Sequence, residues 1–264
     1  MSALQWRQCG AIEIAFRQIG KGPPLLMFHG AEGDHQIYDR LQEELAEKVT
    51  SISFDQRDCG ATRSTESAPY TLTAIVDDAV ALLDALGYDR VHVLGNSIGG
   101  VLAQTMALRW PGRVDHLILG LTWPADEQLQ DLNPSGLARR TEYAAMGPAG
   151  ERDMIELMAG SGYLDQHPEF VQELRSLSTV RPAEDRARRF AALVQDPLAD
   201  PAAILHPTLV IGGERDQMVP PELSRRLADR IPNATFELVE GVGHLAARQS
   251  PDRLARVIGR FLNG

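Results

Sequence analysis

Three side chains that lie far apart in the sequence have the types that nucleophilic catalysis requires. Ser97 lies in the stretch GNSIGG, Asp216 follows LVIGGER, and His244 follows LVEGVG. A serine hydroxyl is a poor nucleophile unless a base takes its proton and a third group orients that base. We therefore interpret Ser97 as a nucleophile, His244 as its base and Asp216 as the residue that orients the imidazole.

The local sequence around Ser97 predicts a sharp turn. The apolar stretch VHVL precedes Gly95-Asn-Ser-Ile-Gly99, and a helix-like stretch, VLAQTMALRW, follows at residues 101–110. Glycines on either side of the serine remove β-carbons that such a turn would crowd, and glycine tolerates strained backbone angles. By composition alone, Gly-x-Ser-x-Gly is expected in roughly one chain in ten of this length, so the pattern needs partners elsewhere.

The elements that position these residues can be predicted from the apolar pattern. Residues 11–19 alternate as in an antiparallel strand, and short apolar runs predict buried strands at 25–28, 51–54, 114–121 and 207–213. Helical stretches separate these runs, which indicates a parallel sheet with helices on both faces. Because parallel strands end at one edge of a sheet, Ser97, Asp216 and His244 can converge there.

The strand–helix alternation stops after Pro124 and returns near residue 200. The intervening residues contain only helical stretches broken by Pro and Gly. We therefore predict a core domain formed by residues 1–124 and 200–264, with a helical cap at 125–199.

Taken together, these features resemble the α/β-hydrolase superfamily, over nearly the whole chain. The residues that carry the resemblance are His29-Gly30, the stretch DQRDCGAT at 55–62, Ser97, Asp216 and His244, with the last three in the chain order Ser, Asp, His. The resemblance implies a mostly parallel, eight-stranded α/β sheet. It also implies an oxyanion hole made by the backbone N–H groups of Ala31 and Ile98.

Several assignments have competing interpretations. Asp126 or Glu127 could replace Asp216 as the acid, since some hydrolases place it after the sixth strand. His29 is expected to form structural hydrogen bonds beneath the oxyanion loop, and His92 to be a hydrogen-bonded core residue. Candidate substrate contacts are His35, Trp123, Tyr143, Met146 and Met158, and a carboxylate clamp or a solvated helix face could account for Arg139, Arg140, Arg186, Arg188 and Arg189.

The stretch DQRDCGAT departs from the commoner family pattern Asp-x-Arg-Gly-x-Gly-x-Ser, because Asp58 replaces a glycine and Thr62 a serine. An aspartate there resembles polyketide methylesterases, and the chain up to Leu86 resembles enol-lactone hydrolases. The resemblance implies a carboxylic ester or lactone hydrolase that forms an acyl-enzyme. A C–C bond hydrolase of ring-cleavage products and a ligand-sensing relative with little turnover are the alternatives.

Composition excludes several other classes. The 264 residues carry a net charge of −10, which argues against binding to nucleic acid or an anionic membrane. No apolar run approaches the ~20 residues of a membrane span. No group of residues has metal-ligand spacing, so neither a metal nor a cofactor is expected. Two cysteines and no apparent signal peptide predict a cytoplasmic protein. We expect a monomer or homodimer that acts on a small-molecule ester or lactone.

Overall fold

The computed structural model describes residues 3–177, 181–193 and 200–263. Nine strands form one sheet in these residues. The strands are β1 (Gln5–Cys9), β2 (Ile12–Gly20), β3 (Pro24–Phe28), β4 (Thr50–Phe54), β5 (Arg63–Ser64), β6 (Val91–Asn96), β7 (Val114–Gly120), β8 (Thr208–Gly213) and β9 (Ala234–Val239).

Eight strands lie side by side in the order β1-β2-β4-β3-β6-β7-β8-β9, and the two-residue strand β5 pairs with β2. Strand β2 is antiparallel to both of its neighbours, β1 and β4. From β4 to β9 along this order, each strand is parallel to the next. This confirms the mostly parallel sheet that the sequence predicts. Neither β1 nor β5 was located from the sequence, because β1 is a mostly exposed edge strand and the two residues of β5 carry no detectable alternation.

Helices cover both faces of the sheet. Those outside the region between β7 and β8 are α1 (Asp39–Leu45), α2 (Leu72–Leu86), α3 (Ile98–Arg109), α10 (Pro221–Arg230), α11 (Ala246–Gln249) and α12 (Pro251–Asn263). One core cluster includes Leu102 of α3 and Leu227 of α10, and a second, built around other strand residues, includes Leu41 of α1 and Ile258 of α12. Strands buried on both faces account for the unbroken apolar runs in the sequence.

Six α-helices lie between β7 and β8 in the part of the chain that the structure describes. They are α4 (Leu129–Leu132), α5 (Pro134–Ala145), α6 (Glu151–Ala159), α7 (Tyr163–Gln166), α8 (Phe170–Leu177) and α9 (Ala183–Leu193). Between residues 125 and 200, the described part of the chain contains no strand. Ile155, Leu164 and Phe170 form a small core of their own here. We refer to α4–α9 as the helical insert.

Neither cysteine forms a disulfide, since Cys9 and Cys59 are both free thiols. Among the described residues, the helices are all too short or too polar to cross a bilayer.

Candidate active site

Ser97 occupies a strained elbow between β6 and α3. Its backbone angles are φ 58° and ψ −127°, in a region that non-glycine residues rarely adopt. The chain can bend this tightly only because residue 95 is a glycine. A β-carbon on Gly95 would lie 2.0 Å from the carbonyl oxygen of Gly99. A β-carbon on Gly99 would lie 2.1 Å from the carbonyl oxygen of Phe28. The two glycines are therefore required by contacts, as the sequence pattern predicts, while the strained φ falls on the serine itself.

Hydrogen bonds from the next strand hold the elbow in place. The Ser97 backbone N–H donates to the carbonyl of Gly120 at 3.0 Å, and its carbonyl accepts from the Thr122 hydroxyl at 2.7 Å. Strain of this kind persists only where the surroundings fix it, and here both backbone polar groups of the residue are bound. The side chain is left at the carboxyl edge of the sheet.

Asp216 and His244 follow the ends of β8 and β9 and are bonded to each other. His244 Nδ1 donates to Asp216 Oδ2 at 2.7 Å, and the other carboxylate oxygen accepts from the backbone N–H groups of Met218 and Val219 at 2.9 and 2.8 Å. The Asp216 side chain is completely buried. The carboxylate is thereby fixed in orientation and holds the imidazole so that Nε2 remains available.

The rival acids have a different partner. Arg230 of α10 binds Asp126 through two hydrogen bonds of 2.9 and 2.6 Å, and it donates to Glu127 at 3.0 Å. Both carboxylates are therefore ion-paired with the guanidinium of Arg230. It is Asp216 that accepts the hydrogen bond from His244.

The loop after β3 lies against the elbow. A β-carbon on Gly30 would be 3.7 Å from Cβ of Ser97, and Ala31 and Ile98 both line the same cavity as the serine. Ile98 is the first residue of α3, so its N–H is not used within the helix and the helix dipole favours negative charge there. The two proposed oxyanion donors thus flank Ser97.

His29 is a structural residue beneath this loop, as expected. Its Nδ1 donates to the carbonyl of Gly30 at 2.7 Å, and its Nε2 accepts from the N–H of Gln56 at 3.2 Å. Complete burial, assisted by the charge of Arg189, lowers the pKa of His29 to about 3. A neutral imidazole with both nitrogens bonded cannot act as a base for Ser97.

Arg189 is a site residue whose role the sequence did not reveal. It lies on α9 and is only 1% exposed, yet its guanidinium donates to the carbonyl of Ala31 at 2.9 Å, to Gln56 Oε1 at 2.7 Å and to the carbonyl of Arg57 at 3.4 Å. The neighbouring Arg188 binds Asp58 bidentately at 2.9 and 2.7 Å. The helical insert is therefore anchored to the loops after β3 and β4, and the unusual Asp58 supplies part of that anchor.

The other arginines considered for a carboxylate clamp also have protein partners. Arg139 donates to Gln217 Oε1 at 2.9 Å, and Arg140 and Arg186 both pair with Glu32, at 2.5 and 3.4 Å. Only Arg140 of these lines the cavity. Its charge is already balanced by Glu32.

A cavity of about 1060 Å³ lies between the sheet edge and the helical insert. Ser97, His244, Ala31 and Ile98 line it, and so do Trp123 and Met158 among the predicted substrate contacts. Its insert-side wall is largely apolar and comes from Leu137, Leu174, Phe190 and Leu193. The volume suits a small organic ligand.

Three predicted substrate contacts lie away from this cavity. His35 Nδ1 donates instead to Asp55 at 2.7 Å, and burial, which would lower its pKa, is outweighed by the Asp55 hydrogen bond and charge, so the pKa of His35 is raised. Asp34, His35 and Asp55 could hold a cation by proximity, but the direct bond already satisfies the ring. Met146 is 45% exposed, and Tyr143 is not among the lining residues. Which side chains near α5 face the cavity depends on how the helix packs on the core, and apolar residue type alone does not reveal that.

The elbow, the bonded Asp–His pair and the two flanking N–H groups on a parallel sheet define a hydrolase of the α/β type. The family described as "alpha/beta hydrolase fold" matches residues 23–250, and the chain belongs to it.

Individual relatives are also hydrolases. A 2-hydroxymuconate semialdehyde hydrolase of Pseudomonas sp. (strain CF600) is 32% identical over 262 residues, covering 92% of this chain and 88% of the relative. A protein of Caulobacter sp. (strain K31) assigned as the carbamate hydrolase RutD is 29% identical over 272 residues, covering 97% and 98%. A thermophilic esterase from Thermogutta terrifontis superposes with a TM-score of 0.83 at 26% identity, covering 99% and 98%.

Proposed function

We propose that this protein hydrolyses uncharged carboxylic esters or lactones through an acyl-enzyme on Ser97. The observation that carries the proposal is that the Asp216–His244 pair opens into the same cavity as the elbow serine. His244 takes the proton of the Ser97 hydroxyl as its oxygen attacks the carbonyl carbon, and later returns it to the leaving alcohol. Water then attacks the acyl-enzyme with His244 as base, which releases the acid and regenerates the serine.

The oxyanion is bound by backbone groups. The N–H groups of Ile98 and Ala31 would donate to the oxygen as it becomes negative, which lowers the barrier most in a site that excludes water. We further propose that residues 125–199 act as a cap that supplies this exclusion. The apolar wall from α5, α8 and α9 and the anchor through Arg189 support that role.

The charges at the cavity support an uncharged substrate. Glu32, Asp34 and Glu127 line it, with Glu127 already paired with Arg230, and the lining arginine, Arg140, pairs with Glu32. A substrate carboxylate would therefore meet more acidic than basic groups and would have to displace Glu32 to reach the guanidinium.

A matched pair of esters tests this preference. We expect kcat/KM for p-nitrophenyl butyrate to exceed that for the p-nitrophenyl monoester of succinic acid by at least tenfold. Glu32→Gln should bring the two kcat/KM values closer together, because it frees Arg140 to bind the succinate carboxylate. Ser97→Ala should abolish hydrolysis of both esters. Equal rates on the two esters in the wild type would refute the charge argument, and failure to cleave any ester or lactone would refute the function.

C–C bond hydrolysis is the second candidate, because the relative from Pseudomonas sp. (strain CF600) is 32% identical over most of the chain. The same serine, histidine and aspartate could serve either reaction. Loss of the absorbance of 2-hydroxymuconate semialdehyde, followed beside the ester assays, separates the two. A kcat/KM for the semialdehyde above that for every ester would favour the second candidate.

A further inference from the structure

A cluster of polar side chains lies at the edge of the sheet where the parallel strands begin, opposite the active site. His92 is the second residue of β6, and Asp115 and His116 are the second and third residues of β7. The register pairs Val91 with Val114 but Val93 with Leu117, so one residue of β6 faces two of β7. Such a bulge turns side chains that would otherwise alternate, and bulges occur often beside functional sites. Here it brings the three side chains together.

The ligand atoms of this cluster have the spacing of a coordination site. Asp115 Oδ2 lies 3.5 Å from Nδ1 of His92 and 3.4 Å from Nδ1 of His116, and each of the three residues offers one ligand atom within 4.8 Å of those of the other two. Around a tetrahedral zinc ion with bonds of 2.0–2.1 Å, ligand atoms are about 3.3–3.4 Å apart. The two measured separations are close to that value and are too long for hydrogen bonds.

Both imidazoles present an unused nitrogen to this space. Within the described residues, Nδ1 of His92 and Nδ1 of His116 are buried and have no hydrogen-bond partner, and His92 as a whole is only 6% exposed. The expectation that His92 is a hydrogen-bonded core residue is therefore wrong for this atom. A buried polar atom without a partner is costly, and a cation between the two rings would satisfy both.

Neighbouring side chains hold the cluster in place. The ring of His116 packs edge-on against those of His92 and Phe261 at 5.0 and 5.4 Å between centroids. Arg90 binds the other Asp115 oxygen at 3.0 Å, which turns Oδ2 toward the imidazoles in the way that partners of metal-bound carboxylates do. Asp115 and His116 are partly exposed, so water can complete the coordination.

We infer that His92, Asp115 and His116 bind a divalent transition-metal ion, with zinc as the ion that best suits two imidazoles and one carboxylate. The site ties β6 to β7. His92 lies five residues before Ser97, which follows the end of β6, so the two are about 17 Å apart at 3.3 Å per residue, and the ion stabilises the sheet and takes no part in the reaction. Sequence spacing could not reveal it because the ligands come from two strands.

Zinc titration of chelator-stripped protein tests the inference. Calorimetry should show one Zn²⁺ bound per chain with a Kd in the micromolar range or tighter. Zinc at a hundredfold excess over Kd should raise Tm by about 5 °C. His116→Gln, at a partly exposed position, and Asp115→Asn should each weaken binding at least tenfold. His167→Gln, which removes a histidine elsewhere on the surface, is the matched control and should leave binding unchanged.

Co²⁺ gives a second readout, because tetrahedral coordination produces intense visible absorption, which His116→Gln should remove. Circular dichroism in EDTA checks that each variant is folded. Wild-type zinc affinity in His116→Gln, or no stoichiometric binding by the wild type, would overturn the site. Ester hydrolysis should be unaffected by zinc loading, and a dependence on it would contradict the structural role.

Discussion

Replacing Asp216 with asparagine should remove activity while preserving the fold, because the contacts determine how the amide will sit. One carboxylate oxygen accepts two backbone N–H groups, from Met218 and Val219, at 2.9 and 2.8 Å. An asparagine must place its carbonyl oxygen there, since an NH₂ group facing two N–H donors would leave all of them unpaired. The NH₂ group then faces Nδ1 of His244.

This arrangement reverses the histidine tautomer. Nδ1 must accept from the asparagine, so the proton moves to Nε2, and the nitrogen that should receive the Ser97 proton is already protonated. In the serine proteases the equivalent change lowers kcat by about 10⁴, the case from which this magnitude is taken. That loss corresponds to about 5.4 kcal/mol of transition-state stabilisation at 1.36 kcal/mol per tenfold. Both backbone hydrogen bonds survive, so the free energy of unfolding should change far less.

The assay is hydrolysis of p-nitrophenyl butyrate, with urea denaturation of the same preparations. Asp126→Asn is the control, since it removes a charge of the same type that is bound to Arg230, and it should retain near-normal kcat. Activity within tenfold of wild type for Asp216→Asn would refute the tautomer argument. Collapse of activity in Asp126→Asn would transfer the role of the acid to that residue.

Further outcomes follow from the same contacts. Ser97→Ala and His244→Ala should each lower ester turnover by several orders of magnitude and to a similar level, and the double variant should be no worse, because the residues act as a unit. Arg189→Lys keeps the charge but cannot reproduce all three hydrogen bonds, of which the one to the carbonyl of Ala31 holds the loop after β3. We expect kcat to fall at least tenfold with little change in KM, whereas an unchanged kcat would make the residue merely structural. His35→Gln should lower the free energy of unfolding more at pH 5.5 than at pH 8.5. The folded-state pKa of His35 is raised by Asp55 against the effect of burial, so its contribution is complete below the unfolded value of about 6.5 and is lost as pH rises through the folded value. An equal loss at both pH values would contradict this assignment.

Local sequence was sufficient to locate most strands of the sheet and the elbow at Ser97. Runs such as Leu25–Phe28 are apolar on both faces because helices cover both sides of a parallel strand, so the pattern identifies the strand without knowledge of its neighbours. The glycines at 95 and 99 are required by contacts with the backbone that a β-carbon would violate. The strand ends were sufficient to predict that Ser97, Asp216 and His244 lie near one another, because parallel strands share one carboxyl edge.

The remaining features depended on which elements meet, and only the tertiary structure decides that. Arg189 is one arginine among several on a polar helix, and it is buried against Ala31 only because α9 lies on the loop after β3. Leu137 of α5 lines the cavity, whereas Met146, just after the end of α5, is exposed, although both are apolar. His92 meets Asp115 and His116 only through a bulge between two strands. Sequence specifies local conformation through short-range sterics and burial, whereas these contacts depend on register and docking angle, which are set by the packing of the whole domain.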